Sequence, residues 1–346
     1  MRYSLSVILL LTVGPLLSAV GSTAHLYGAF PLLVTPYTAE AKLDVDTLVH
    51  EAEYVDCNGA RGIIWPTAGE INDLDALGEY EQGLTALAQR WRKGGVTARL
   101  TAVCCGTNSA MALKRAALWE KTAKAHGLET AILARPPDDA KDDADMRRYY
   151  RALAATVSQP VIIQTYNGKS PQPSVELLIE LAKEFPLVYG HVKEESPGDK
   201  VNGRVAQLVA AKPVIKGVFS GWGAQGFLYQ GPRLGTIGCI TQRPAYTRLL
   251  ARMLALAAEG RDASDAELGA TYGKFLIMTN LGANFPTKNH GGDMRGPHLM
   301  VLKRLGVFPN TYNRHRVKGK WVAEEYVLSP REMAEIDARI AYALGR

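Results

Sequence analysis

Lys193 is the residue in this chain whose setting most invites chemistry. It stands in Tyr189-Gly190-His191-Val192-Lys193-Glu194-Glu195-Ser196, behind the apolar run Pro186-Leu187-Val188-Tyr189, which reads as a buried strand, and ahead of Pro197-Gly198. Lysine is seldom placed where its ammonium loses water. One reason to place it there is chemical: a lysine removed from water keeps a neutral amine more readily and can attack a ketone to form a Schiff base. The other reading is a strand-end lysine that reaches back to solvent along its methylene stem. The segment alone leaves both open, so the surrounding elements have to decide between them.

The chain has 346 residues, 47% of them hydrophobic and 21% charged, enough to bury a substantial core. Its net charge of +6 comes from scattered Lys and Arg. No basic stripe interleaved with aromatics is present, so nothing points to nucleic acid, while a positive balance suits small anionic ligands. Cys57, Cys104, Cys105 and Cys239 form neither a CxxC pair nor a Cys/His metal spacing and read as free thiols, three of them buried in strand-like runs. At the N-terminus, Arg2 precedes the apolar run from Leu5 to Val13, followed by small residues around Ala19-Val20-Gly21 and Ser22-Thr23-Ala24. That layout predicts a secretory leader over residues 1–24, and hence a periplasmic or secreted protein; without its use the protein would be cytoplasmic. The run is too short and broken, at Pro15, for a stable membrane span.

From Gly28 a strand-helix pattern repeats. The predicted strands are Gly28–Pro36, running into a turn, Gly62–Trp65, Ala98–Cys105, Glu129–Ala134, Pro160–Gln164, the run leading to Lys193, Val214–Phe219 and Gly235–Thr241. Helical periodicity follows each, over Asp44–Asp56, Asp75–Trp91, Ala110–Ala125, Asp142–Val157, Ser174–Phe185, Val201–Ala211, Ala224–Gln230 and Tyr246–Ala258. The strands are short, apolar and β-branched, as strands covered on both faces should be. Eight even units over residues 25–260 predict an α/β protein, a (β/α)8 TIM barrel; an open doubly wound sheet would show a longer break where the strand order reverses. Residues 261–346 predict a C-terminal helical extension, with helices over Asp262–Thr279, Arg295–Leu305 and Pro330–Leu344 and a polar connector from Asn310 to Glu325.

A barrel delivers the C-terminal ends of all its strands to one face, where its chemistry sits. That makes neighbours of Thr67-Ala68-Gly69-Glu70, Gly106-Thr107-Asn108, Asp138-Asp139, Gln164 to Asn167, Lys193, Ser220-Gly221 and Gly235-Thr236-Ile237. Thr67 and the backbone amides of Ala68 and Gly69 can cradle a carboxylate, because clustered N–H groups bind anions. Gly235 and Gly238 allow backbone to approach a ligand closely.

The order and spacing of these motifs resembles the dihydrodipicolinate synthase / N-acetylneuraminate lyase family of class I aldolases. Gly28-Ala29-Phe30 with Val34-Thr35-Pro36 is similar to the family's opening strand, and Pro66-Thr67-Ala68-Gly69-Glu70 to its Gly-[Ser/Thr]-Thr-Gly-Glu loop. Gly106-Thr107-Asn108-Ser109 resembles its third loop, Tyr189 to Ser196 its Schiff-base strand, and Ser220-Gly221 with Gly235-Thr236-Ile237-Gly238 its seventh and eighth strand ends. The resemblance implies that Lys193 attacks pyruvate or another 2-oxo acid, giving an imine that permits C–C bond formation or cleavage, or dehydration. It implies a substrate carboxylate resting on Thr67 and Ala68, backbone contacts from Ile237, and the Thr67 hydroxyl in the proton relay. It also implies a homo-oligomer, tetramer or dimer, and a small-molecule partner, with no cofactor and no metal.

Three departures stand out. The family's proton-shuttling tyrosine after a Pro at the end of strand four is absent from Pro136-Pro137-Asp138-Asp139; aligned on the prolines, Asp139 takes its place. Ala68 replaces the second loop hydroxyl. On strand five Gln164 falls where the family often has tyrosine, with Tyr166-Asn167 two residues later, so Tyr166 is a second shuttle candidate. These changes argue against the lysine-biosynthesis condensation and fit another 2-oxo acid, such as a sugar acid, or a catalytically silent, exported barrel that binds one.

Three further signals carry less. Gly221-Trp222-Gly223-Ala224-Gln225-Gly226 matches GxGxxG, but it falls in the seventh unit and the next strand ends without the ribose-binding acid. His290, Asp293 and His298 offer no complete metal ligand set. Glu194 and Glu195 are both candidate acids, and strand alternation turns one toward the barrel centre and the other toward the helices.

Overall fold

A computed structural model describes residues 26–166, 171–198, 200–241, 244–285 and 296–346. The leader-like residues, Asn167, His290 and Asp293 lie outside them. Eight parallel strands form the barrel: β1 (Gly28–Pro31), β2 (Gly62–Trp65), β3 (Arg99–Val103), β4 (Ala131–Ala134), β5 (Val161–Gln164), β6 (His191–Glu194), β7 (Gly217–Ser220) and β8 (Gly238–Thr241). They pair in the order β1-β8-β7-β6-β5-β4-β3-β2. The circle closes where Leu32 bridges Ile64 and the Leu33 amide donates to the Ile64 carbonyl at 2.9 Å. Asp44, Asn108, Asp142 and Ser174 each accept a backbone N–H of the following helix, the side-chain capping that fixes where helices begin, worth about 1 kcal/mol apiece.

The barrel interior is filled, not hollow. Phe30 and Phe219 meet edge to face with ring centres 5.0 Å apart. Gly62 makes room for this pair, since a Cβ there would stand 2.0 Å from the Phe30 ring. Gly217 does the same for Ile237, whose Cδ1 would lie 2.1 Å from an added Cβ. Pairing large with absent side chains is how a narrow barrel reaches close packing.

Four sequence expectations change. β6 begins at His191: Pro186–Val188 form a turn, with Leu187 exposed, and Gly190 at φ +121° leads into the strand. The single helix expected from Asp75 is two, Ile71–Ala76 and Glu79–Arg92, because Gly78 between them takes φ +73°, outside helical space. The eighth strand starts at Gly238, so Gly235-Thr236-Ile237 precedes it. Finally, the polar connector is an antiparallel hairpin, β9 (Tyr312–Val317) and β10 (Lys320–Glu325), turning through Lys318 and Gly319 with φ +49° and +79°. Positive φ at both central residues is the two-residue turn that matches strand twist. The extension is thus helical with a β-hairpin inserted before its last helix, Pro330–Leu344. Its core, built on Tyr246, Phe275, Met278 and Val301, is continuous with Ala29 and Cys239 on the outer side of β1 and β8.

Candidate active site

Lys193 lies at the C-terminal end of β6 with its side chain 9% exposed. Its Nζ is 3.1 Å from Glu195 Oε2. The same oxygen accepts a hydrogen bond from Gln164 Nε2 at 2.6 Å, across from the neighbouring strand β5, where Gln164 and Lys193 are register partners. Thr165 fixes the strand end: its amide donates to the Lys193 carbonyl at 3.0 Å and its hydroxyl accepts the Glu195 N–H at 2.8 Å.

The two acids after the lysine separate as alternation requires. Glu194 turns outward and is fully buried, accepting from Arg204 Nε at 3.2 Å and from the Ser196 amide at 2.9 Å. Arg204 belongs to the helix Lys200–Ala210 and also donates to the Pro173 carbonyl at 2.8 Å. Glu195 instead opens with Lys193 onto a cleft of about 300 Å³, whose walls include Leu32, Gly221, Ile240 and Thr241. Gly221 is required by this arrangement. Its amide donates to the Glu194 carbonyl at 2.9 Å, and a Cβ would stand 2.6 Å from that oxygen and 2.8 Å from Glu195 Cβ. Gly221→Ala is therefore expected to cost about 1–3 kcal/mol, the usual range for a forced backbone shift, measured by urea unfolding; an unchanged midpoint would show that the β6 and β7 ends part freely.

The other sequence-expected residues divide by position. Thr67, Ala68 and Gly69 follow β2, four strands from β6 and so across the barrel mouth. The Thr67 hydroxyl donates to Glu70 Oε2 at 2.7 Å, which also accepts from Thr35 at 2.9 Å, while Tyr37 reaches Glu70 Oε1 at 3.4 Å. Asp139 is exposed and accepts from the amide and hydroxyl of Ser109, both at 3.2 Å, at the start of the helix Ser109–His126 that follows β3. Tyr166 is 39% exposed with the Arg135 guanidinium 4.8 Å from its ring centre. Neither is among the residues lining the cleft. Asp139 is held by Ser109, and the Tyr166 ring lies against Arg135. Ile237 precedes β8, packs against Gly217 and lines the cavity beside Gly28 at the start of β1 rather than the cleft at Lys193. Ile240 and Thr241, at the true end of the strand, face the cleft.

A larger cavity, about 770 Å³, opens at the other end of the barrel between the start of β1 and the helix Thr247–Ala258. Its walls are mostly small apolar residues, and it lies on the face that serves stability in barrels of this kind. Among the described residues no helix is long and apolar enough to cross a membrane, and no group of three His, Cys, Asp or Glu could hold a metal ion.

Behind the Thr67 loop lies a buried acid. Glu51 accepts the Val34 amide at 3.1 Å, its second oxygen has no partner among the described residues, and burial, with some help from Glu70, pushes its carboxyl well above the usual range. In the unfolded chain Glu51 ionises near pH ~4.3, whereas the folded protein holds the proton to higher pH. Its contribution to stability is therefore complete below about pH 4 and is lost as the pH rises through the folded value, by about 1.4 kcal/mol per unit of difference. Glu51→Gln removes this titration. It is expected to change stability little at pH 4 and to raise it at pH 8, in urea unfolding at the two pH values. An equal effect at both would mean that Glu51 is not held neutral.

Fold and site together define a (β/α)8 barrel with a lysine-centred cleft at its C-terminal mouth. No protein-family model matches the chain. It is 27% identical to the 4-hydroxy-tetrahydrodipicolinate synthase of Rhizobium meliloti over 165 residues, 47% of this chain and 53% of that protein. It is 26% identical to the synthase of Chlorobium luteolum over 201 residues, 58% of this chain and 64% of that one. The matches thus span a little over half the length of these curated relatives. Among solved structures, the dihydrodipicolinate synthase of Aquifex aeolicus superposes with a TM-score of 0.68 at 18% identity, covering 91% of this chain and 97% of that one. The N-acetylneuraminate lyase of Proteus mirabilis superposes with a TM-score of 0.71 at 14% identity, covering 92% and 99%. By sequence the chain is thus similar to 4-hydroxy-tetrahydrodipicolinate synthases, and by fold to both dihydrodipicolinate synthase and N-acetylneuraminate lyase.

Proposed function

We propose that the protein is a Schiff-base lyase of 2-oxo acids, with Lys193 as the nucleophile. The observation that carries this reading is the lysine itself, nearly buried at the end of β6, opening on a cleft and facing a carboxylate at 3.1 Å. The amine adds to the ketone carbon, and loss of water leaves an imine that withdraws electrons from the adjacent carbon. The amides of Ala68 and Gly69, which bond to no acceptor among the described residues, suit the substrate carboxylate across the barrel mouth. The names of the relatives, a synthase and a lyase, support a carbon–carbon or carbon–oxygen lyase. The missing tyrosine after Pro137 favours a 2-oxo acid other than the one used in the lysine-biosynthesis condensation.

Borohydride trapping tests the reading. Incubation with pyruvate and a panel of 2-oxo acids, reduction and peptide mass analysis should place the adduct on Lys193. No adduct with any member of the panel would overturn it. An adduct with no turnover of any panel member would leave a binding barrel in place of a lyase.

A further inference from the structure

We propose that Glu195 is the proton-transfer group of this site, the catalytic acid and base that serves Lys193. The inference rests on the Schiff-base reading above. The two groups suggested by sequence as shuttles, Asp139 and Tyr166, are engaged elsewhere, with Ser109 and Arg135. Glu195 is the carboxylate that the structure places against the reacting nitrogen.

Two observations separate Glu195 from a structural ion pair. First, its neighbour Glu194 shows what a structural acid looks like here: fully buried, turned to the helical side, and held by Arg204 and Ser196. Glu195 carries the same charge one residue later, yet its side chain is 28% exposed and lines the cleft. Second, only one of its oxygens is committed. Oε2 meets both Lys193 Nζ and Gln164 Nε2, whereas Oε1 takes part in no hydrogen bond among the described residues. Gln164 is a positioning residue: bound to Oε2 at 2.6 Å, it holds the carboxylate at the lysine. An oxygen within hydrogen-bond reach of the proton it must move meets the geometric requirement for a general base.

The steps balance without any further reactant. The Glu195 carboxylate takes a proton from the Lys193 ammonium, leaving an amine and a carboxylic acid. The amine adds to the ketone carbon, and a proton shift from nitrogen to oxygen gives the neutral carbinolamine. The Glu195 acid then protonates the hydroxyl, the C–O bond breaks, and water leaves. The product is the cationic imine beside a regenerated carboxylate. That carboxylate can next accept the proton on the carbon adjacent to the imine, which yields the neutral enamine.

The test follows adduct formation in time, by mixing enzyme with pyruvate and quenching into borohydride. Glu195→Gln, which keeps size and shape, should slow the adduct by about 100-fold or more, the usual contribution of a positioned acid–base group. Glu195→Ala should be slowed similarly and then accelerated by added formate, a small carboxylate able to occupy the vacated space. Circular dichroism confirms that both variants are folded. Adduct formation at the wild-type rate in Glu195→Gln overturns the proposal and leaves the Schiff-base reading standing. A slow Glu195→Ala variant that formate does not accelerate also overturns it, since Glu195 would then act only by position. Absence of any adduct in the wild-type protein overturns both.

Discussion

Lys193→Arg is expected to lower turnover by about four orders of magnitude or more, the scale on which loss of a covalent nucleophile is felt, with no borohydride-trapped adduct at any time. The substitution keeps a cation in the cleft beside Glu195. A guanidinium stays protonated and delocalised, so it has no free amine to add to a ketone. If Lys193 worked only as a point charge that binds the substrate carboxylate, arginine would serve about as well and mainly KM would change. Lys193→Ala should lose the adduct equally. Arginine is larger than the side chain it replaces, and its extra bulk costs about 1–3 kcal/mol, short of the 5–15 kcal/mol that holds a typical domain folded. Retained circular dichroism beside retained turnover is the result that would remove Lys193 from the mechanism.

The largest stability effect is expected at Arg314→Ala. Arg314 lies on β9 of the hairpin with its side chain 2% exposed, in an ion pair with Glu79, itself 10% exposed. It also donates to the Ala41 carbonyl at 3.3 Å, and it is sandwiched with its guanidinium 4.3 Å from the Tyr37 ring centre and 5.0 Å from that of Trp321. Truncation would strand the Glu79 carboxylate in the interior, a change that typically costs about 3–5 kcal/mol. Glu79 must stay an acceptor, because Oε1 takes the Leu43 amide at 2.9 Å. The double variant Arg314→Met with Glu79→Gln keeps that acceptor, restores stem packing and removes the stranded charge. It should therefore recover a large part of the loss in urea unfolding. If Arg314→Ala and the double variant lose the same amount, the stranded charge is not the cause. A consequence for the site follows from contact: Tyr37, stacked on Arg314, also bonds Glu70 beside Thr67, so hairpin damage is expected to raise KM for the proposed 2-oxo acid substrate.

Much of the barrel was legible in the chain because its signals are local. Short β-branched runs ending in Gly or polar residues, each followed by a helix, repeat eight times before residue 260, and four of those helices start at an Asp, Asn or Ser cap. Each such unit can form only by burying its apolar strand among others like it, so their number and even spacing point to closure. The hairpin was harder. Tyr312 to Glu325 is rich in Lys and Arg, and its alternation is masked because one inward residue, Arg314, is itself charged. Glu79, more than two hundred residues earlier, together with the Ala41 carbonyl and the Tyr37 ring, makes that burial tolerable.

The same division runs through the site. Lys193 could be singled out from sequence, since a strand-end lysine among Gly-rich loops is unusual by itself, and so could the Thr67-Ala68-Gly69 turn and Gly221. Gln164 was noted at its position, but its bond to Glu195 joins two strands and has no sequence signature. Ile237 against Ile240 turned on three residues of register, which hydrogen bonding between β7 and β8 sets and composition does not. Asp139 and Tyr166 had the right chemistry for proton transfer, and only the structure shows them beside Ser109 and Arg135. The amino-acid sequence by itself determined the barrel, its candidate lysine and its resemblance to known lyases, because strand pattern, capping and residue type act over a few neighbours. Which carboxylate reaches the nitrogen was decided only by tertiary structure. Side-chain direction at a strand end depends on partners from other strands: Arg204 draws Glu194 outward, and Gln164 holds Glu195 in.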